Sequence, residues 1–436
     1  MNNKNYQEFK KRREVLTNKI GDGVAIIFNA NEVIRNRDSR YSYRPDSYFH
    51  YFSGFTEPQS ALIILGGKSP KTILFCRNKD IEMEIWNGFI YGPKKAKELF
   101  LFDETYDISL LDDIALKEIA GHEKIYYRAG QDVLIDQKIN YWIKQLREKN
   151  RSGIKAPYLV EDISSVADEM RLIKSDFEID IMRRSAEIAS LAHNRAIKFA
   201  KPHIYEYEIE AEILHEFMRH GIRSPAYQSI VASGGNACTL HYVDNNSKIQ
   251  DGDLILIDAG CELEGYASDI SRTFPVSGKY TKIQKDFYQM VLDAQSAALK
   301  KISPKHQWND PHEAALSVLI DGFKEFGLCH GSRDEIYETG AYKEFYMHRT
   351  GHWLGLDVHD AGEYKNISDE WKQLKPGMTL TVEPGCYIRP SPKISKEFWN
   401  IGIRIEDDVL VTQDGHEVLT KDSPKTIEAI EALMAK

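Results

Sequence analysis

The sequence predicts an α+β protein of two domains divided near residue 170, and three observations carry that expectation. Short β-rich runs alternate with helix-like stretches up to that point. Apolar residues then take a helical period between about residues 162 and 201, and after residue 224 the chain turns to strands and Gly turns. A length of 436 residues suits two or three domains at roughly 150 residues each. Residues 1–170 are therefore read as a mixed α/β layer domain and residues 171–436 as a second, α+β domain.

Taken in order, residues 23–28 (GVAIIF), 61–65 (ALIIL) and 71–76 (KTILFC) are β-branched runs bounded by Gly, Pro and Asn. The aromatic residues between Tyr41 and Phe55 are assigned to packing or an interface, because no basic patch accompanies them. The run Gly66-Gly67-Lys68-Ser69 resembles the end of a phosphate loop, but Leu62 stands where that loop needs glycine. Ser175 and Glu178 have the spacing of a capping box, and Ile179, Met182, Ala186 and Ala189 follow on one helical face. One further helix is predicted over residues 281–302, within an otherwise β-rich second domain.

Composition excludes several classes of function. A hydrophobic share of 42% is ample for a buried core, which rules out disorder. The net charge of −9 argues against nucleic acid or an anionic membrane as partner. Residues 1–170 carry 26 basic and 25 acidic side chains, the remainder 31 and 41, so the acidic surplus lies wholly in the second domain. Five cysteines without a CxxC pair do not make a disulfide framework. The charged N-terminus lacks the apolar stretch of a signal peptide, and no apolar run approaches the ~18 residues of a membrane span. A cytoplasmic protein is expected.

The acidic surplus gathers at particular places. Asp258 ends a strand-like run and Asp269 follows the turn, so a hairpin turning at Leu263 and Glu264 places the two carboxylates directly opposite. Two such carboxylates repel unless a cation or a proton separates them. In residues 380–383, Leu380 and Val382 share one face and Glu383 takes the other, with Pro384 stopping the strand. In residues 400–410, Ile401, Ile403 and Ile405 share a face opposite Arg404 and Glu406. His348, His352 and His359 lie within twelve residues, with Gly351 and Gly355 around His352 permitting close backbone approach. Each carboxylate alone could be ordinary surface, but four of them with clustered histidines make better candidates for metal ligands.

These residues resemble a known family. HRTGHWLGLDVHD at 348–360 is similar to the metal-histidine motif of the aminopeptidase P and prolidase branch of the pita-bread metallopeptidases, a fold shared with methionine aminopeptidase. The two-aspartate hairpin, TVEPG, GIRIEDD, TLHY at 239–242 and YRPDSYFHYFSGF at 43–55 match it in the same order, over nearly the whole chain. The resemblance implies a pita-bread catalytic domain with two divalent metal ions, Mn²⁺ by family preference. Asp258 would serve one ion, His352 and Glu383 the other, with Asp269 and Glu406 bridging. It implies a metalloaminopeptidase that hydrolyses the N-terminal Xaa-Pro bond of peptides through a metal-bridging hydroxide, with prolidase activity on Xaa-Pro dipeptides as the alternative.

By the same resemblance Glu383 accepts the proton of the nucleophilic water, while His241 and His359 act on the substrate and Arg404 orients Asp258 or buffers the charge. His348, Tyr227 and Trp86 are the candidates to bind the proline-containing substrate, and Trp86 can arrive from a neighbouring subunit of a homodimer or homotetramer. Creatinases lack these metal ligands, and methionine aminopeptidases lack an N-terminal domain of this size.

Overall fold

Val24–Phe28, Ala61–Leu65 and Lys71–Cys76 become neighbouring strands, because Val and Ile lose little rotamer freedom in an extended chain and here both faces are buried. The computed structural model describes residues 3–435, and the chain divides into two compact units, Met1–Arg171 and Leu172–Lys436. In the first unit six strands form a mixed sheet, to which Glu104–Asp107, Lys124–Tyr127 and Leu159–Asp162 add parallel edges. Helices Leu111–Ile119 and Val133–Glu148 bury Ala115, Trp142 and Leu146 against Val24, Ile63 and Phe75. The aromatic run serves packing: Asp46 caps a helix over Ser47–Ser53, in which Tyr48, Phe49, Tyr51 and Phe52 are all buried.

The second unit uses one device twice: a pair of long helices followed by short antiparallel strands. Asp176–Phe199, started by the Ser175/Glu178 capping box, and Glu206–Arg219 precede the sheet of Ile230–Ser233, Leu254–Asp258 and Ser271–Pro275. Lys282–Leu299 and Asp310–Glu325 precede Thr379–Val382, Asp407–Val411 and His416–Val418. The helix over Asp310–Glu325 corrects the expectation of one helix after residue 224. Ala315, Leu316, Leu319, Ile320 and Phe323 give it a buried helical stripe, and Pro311 lies in its first turn, where a missing N–H costs nothing. Arg333–Thr339 and Ile427–Met434 are further helices outside that expectation.

Strand alternation sorts the side chains. Ile255, Ile257, Leu380, Val382, Ile403 and Ile405 share one core with the helices, leaving Asp258, Glu383, Arg404 and Glu406 on the opposite side. The strands are also broken where the carboxylates sit. Val382 pairs with Asp407, but beyond Pro384 the partnership passes to Gly385 with Arg404. Glu383 and Glu406 occupy this jog, outside both ladders, so their side chains and not only their backbones are free to converge.

The jog is held by Arg272, a fully buried guanidinium that donates to Asp407 Oδ1 at 2.7 Å, to the Glu406 carbonyl at 2.5 Å and to the Ser423 carbonyl at 2.9 Å. Burial alone raises the Asp407 carboxyl, but Arg272 and Lys425 together hold it well below the usual carboxylate range. Arg272→Met removes the guanidinium and leaves Asp407 buried with one cation, a loss expected to cost about 3–5 kcal/mol. The midpoint and slope of urea unfolding check this value, and an unchanged midpoint would refute the role.

Candidate metal centre

The hairpin expected to carry two opposed aspartates is real, but its register differs by two residues. Asp258 pairs with Ser271, and the turn lies at Glu264 and Gly265, both with positive φ. A tight turn of this kind needs two left-handed residues, and Gly265 supplies one without strain, which fixes the register. Asp269 is therefore a diagonal neighbour of Asp258 on the same face, not its direct partner. The Tyr227 hydroxyl occupies the space between them, donating to Asp258 Oδ1 at 2.7 Å and lying in close contact with Asp269 Oδ1.

The remaining groups arrive from the second half of the unit. His352 Nδ1 donates to the Trp353 carbonyl at 3.0 Å, which leaves Nε2 pointing inward, 3.4 Å from Asp269 Oδ2 and 3.6 Å from Glu383 Oε1. The approach depends on Gly351, where a Cβ would overlap the Thr381 carbonyl oxygen. Ligand atoms of Asp269, His352 and Glu406 lie within 4.8 Å of one another. Ser271 Oγ donates to Glu406 Oε2 at 2.7 Å, and Asp408 accepts from the Asp269 backbone N–H at 3.1 Å.

Such crowding has an electrostatic signature. Burial, followed by the charge of Asp258, raises the Asp269 carboxyl above its ordinary range. Burial, reinforced by Asp269 and Glu383, raises Glu406 well above its own. Glu383 is pushed up to about 7, chiefly by burial, with Asp269 and Asp258 adding and His352 and Arg404 opposing. Burial lowers His352, but the Asp269 hydrogen bond and Glu383 outweigh it and carry the imidazole up to about 9. Carboxylates held close at this cost fit a multivalent cation, which replaces the missing solvation and the mutual repulsion.

Arg404 ties the site together. Its Nη2 donates to Asp258 Oδ2 at 2.6 Å, its Nε to Ser271 Oγ at 2.8 Å and its Nη1 to the Tyr387 hydroxyl at 3.1 Å. The Tyr387 hydroxyl in turn lies 2.9 Å from His348 Nε2, while His348 Nδ1 lies 2.7 Å from the Arg349 carbonyl. A carbonyl only accepts, so His348 carries its proton on Nδ1 and accepts from Tyr387. Burial, with Arg404 nearby, lowers His348 to about 3 and keeps it neutral. The His359 ring stands edge-on to His352 at 4.3 Å.

A cavity of about 860 Å³ opens onto these groups; Tyr227, His241, His348, His352, His359, Glu383, Arg404, Glu406 and both aspartates line it. Trp86 is not among the lining residues and stands 83% exposed in the first unit. Ser271, Tyr387 and Asp408 were missed by sequence reasoning. Ser271 lies two residues on from Asp269, so alternation points to it, whereas Tyr387 lies in a separate strand beyond the break at Pro384 and alternation does not reach it. The aromatic walls Trp308, Tyr364 and Trp371 come from segments outside the helices and strands and gave no periodic signal.

Tyr227→Phe removes the one donor shared by both aspartates. Losing an outer partner of this kind is expected to weaken metal binding about 10–100-fold. Titration against a competing chelator measures it, and undiminished affinity would refute the role.

Comparisons with known proteins agree with this geometry. Residues 180–413 match the model of metallopeptidase family M24, and residues 9–126 that of the aminopeptidase P N-terminal domain. The chain is 42% identical to Xaa-Pro aminopeptidase of Escherichia coli strain K12, over 98% of this chain and 97% of the relative. It is similar to the structure of Pseudomonas aeruginosa aminopeptidase PepP, with a TM-score of 0.96 and 44% identity over 98% of both chains. Zn-substituted Escherichia coli aminopeptidase P in complex with product matches with a TM-score of 0.95 and 41% identity, again over 98% of both chains.

Proposed function

The chain belongs to metallopeptidase family M24, and from that premise we propose how its residues divide the hydrolysis of the N-terminal Xaa-Pro bond of peptides. It is a metal-dependent Xaa-Pro aminopeptidase, with an aminopeptidase P N-terminal domain and a pita-bread catalytic domain. The observation that carries the assignment of roles is the convergence of Asp269, His352 and Glu406 on one point beside Glu383 and Asp258.

His352 and Glu383 would hold one divalent cation and Asp258 a second, with Asp269 and Glu406 shared between them. Four carboxylates and one imidazole form an oxygen-rich donor set that favours Mn²⁺ over a thiolate-seeking metal. Divalent cations held there would supply Lewis acidity for the scissile carbonyl and a hydroxide from water near neutral pH. Glu383, which lines the cavity beside His352, would take up the proton of the attacking water. Arg404 orients Asp258 through its Nη2 hydrogen bond, and through Tyr387 it fixes the tautomer of His348.

His348 is thereby held neutral and fixed in orientation, its Nδ1–H on the Arg349 carbonyl and its ring beside Glu383. His241 and His359 supply donors from the cavity wall to the oxygen that becomes negative as the carbonyl is attacked. A prolyl residue after the scissile bond brings no N–H, so it is recognised by the shape of its ring, against His348 and Tyr227. Trp86 is assigned to substrate binding through a second copy of the chain, in a homodimer or homotetramer. Its helix Ile81–Asn87 has no buried residue, and Ile81, Ile85 and Trp86 are all exposed, which supports that assignment.

Among the described residues no helix is long and apolar enough to cross a membrane. Five unpaired cysteines suit a reducing compartment and support placement in the cytoplasm. The test is to offer the Mn²⁺-loaded protein Xaa-Pro and Xaa-Pro-Yaa-Zaa side by side. Release of Xaa from the longer peptide is expected, and cleavage confined to the dipeptide would make the protein a prolidase. Light scattering is expected to give two or four times the chain mass.

A further inference from the structure

The cavity has a cation that the reaction leaves unused. Two guanidinium groups line it, and Arg404 is wholly committed to Asp258, Ser271 and Tyr387. The other, Arg349, directly follows His348 and stacks on Trp371, its Cζ 5.1 Å from the ring centroid. Its Nη2 donates to Asn309 Oδ1. Among the described residues no carboxylate pairs with it, and its Nε and Nη1 have no acceptor. A guanidinium already held by a ring and an amide has surrendered much of its rotamer freedom, so a ligand that binds it loses little more. Its planar fork matches a carboxylate.

The cavity is thus polarised. One part holds the acidic ligands, which suit cations; another part of its wall holds an unpaired cation among the aromatic rings of Trp308, Tyr364 and Trp371. A short peptide is polarised in the same sense, with its positive charge at the end being trimmed and its carboxylate beyond the proline. We propose that Arg349 is a specificity residue that binds a carboxylate of the substrate on the leaving-group side of the scissile bond, so that short peptides with a free C-terminus are preferred. The inference rests on the Xaa-Pro aminopeptidase reading. The carboxylate has two possible sources, the C-terminus itself or an acidic side chain after the proline.

The experiment compares kcat/KM of the Mn²⁺-loaded full chain on Ala-Pro-Ala, its C-terminal amide, Ala-Pro-Glu-amide and Ala-Pro-Gln-amide. One charge-assisted pair is expected to favour the free acid over the amide about tenfold. Arg349→Met is expected to bring that ratio close to one, Arg349→Lys to restore part of it and Arg349→Glu to invert it. The preference should also shrink as salt is raised, because the pair is partly exposed. A Glu-over-Gln preference that vanishes in Arg349→Met assigns the side-chain source and equally supports the inference. Equal rates in both pairs, or a preference that survives in Arg349→Met, overturns it. Failure of the underlying reading shows differently, as no cleavage of any of the four peptides.

Discussion

Asp269→Ala and Glu406→Ala are each expected to lose at least one metal ion per chain and most activity. Asp269 and Glu406 are buried beside Glu383 and His352; burial and then Asp258 raise the Asp269 carboxyl, and burial followed by Asp269 and Glu383 raises that of Glu406. In the proposed site each of these carboxylates is shared and would neutralise two cations at once, which offsets that cost. Deleting one leaves the cations facing each other with less negative charge between them. Lewis-acid stabilisation is worth several kcal/mol, so a fall on the order of 10³-fold in kcat is expected. Metal analysis after dialysis, alongside turnover, checks both halves. Two firmly held ions with normal turnover in either variant would remove these residues from the coordination sphere. Folding is a separate readout, since the clamp of Arg272 on Asp407 remains in place.

The second large effect separates three imidazoles that share one cavity. His352 turns Nε2 towards Asp269 and Glu383, whereas His241 and His359 line the wall and make no ion pair among the described residues. His352→Ala is expected to lower metal occupancy, and added Mn²⁺ is expected to recover little. His241→Ala and His359→Ala leave the five proposed ligands in place and should retain both ions. Their defect is expected in turnover, about 10²–10³-fold in kcat, because each removes a donor aimed at charge that develops only in the transition state. KM should move less, since the ground-state carbonyl carries little charge. Metal content and kcat measured together decide the matter. If His359→Ala sheds metal as His352→Ala does, the ligand set must be redrawn.

Much of this protein was already legible in its sequence. Period-2 alternation put Glu383, Arg404 and Glu406 opposite the isoleucines and valines of the core, and the structure keeps that division because a strand turns every second side chain to the same face. The capping box at Ser175 started its helix where local hydrogen bonding requires. The helix over Asp310–Glu325 lies outside the sequence expectation although its apolar stripe is helical, and it is the burial of that stripe, with Pro311 in the first turn, that the structure adds.

The tertiary structure decided what local pattern cannot hold. The hairpin register followed from the left-handed pair Glu264 and Gly265, so the aspartates are diagonal neighbours bridged by Tyr227. The jog that frees Glu383 and Glu406 arises from two strands changing partners, more than twenty residues apart in the chain. The chain from Arg404 through Tyr387 to His348, and the unpaired guanidinium of Arg349 against Trp371, join segments with no common period. Periodicity specifies the face on which a side chain stands; which other faces it meets depends on packing between distant segments, and the chemistry of this site lies in those meetings.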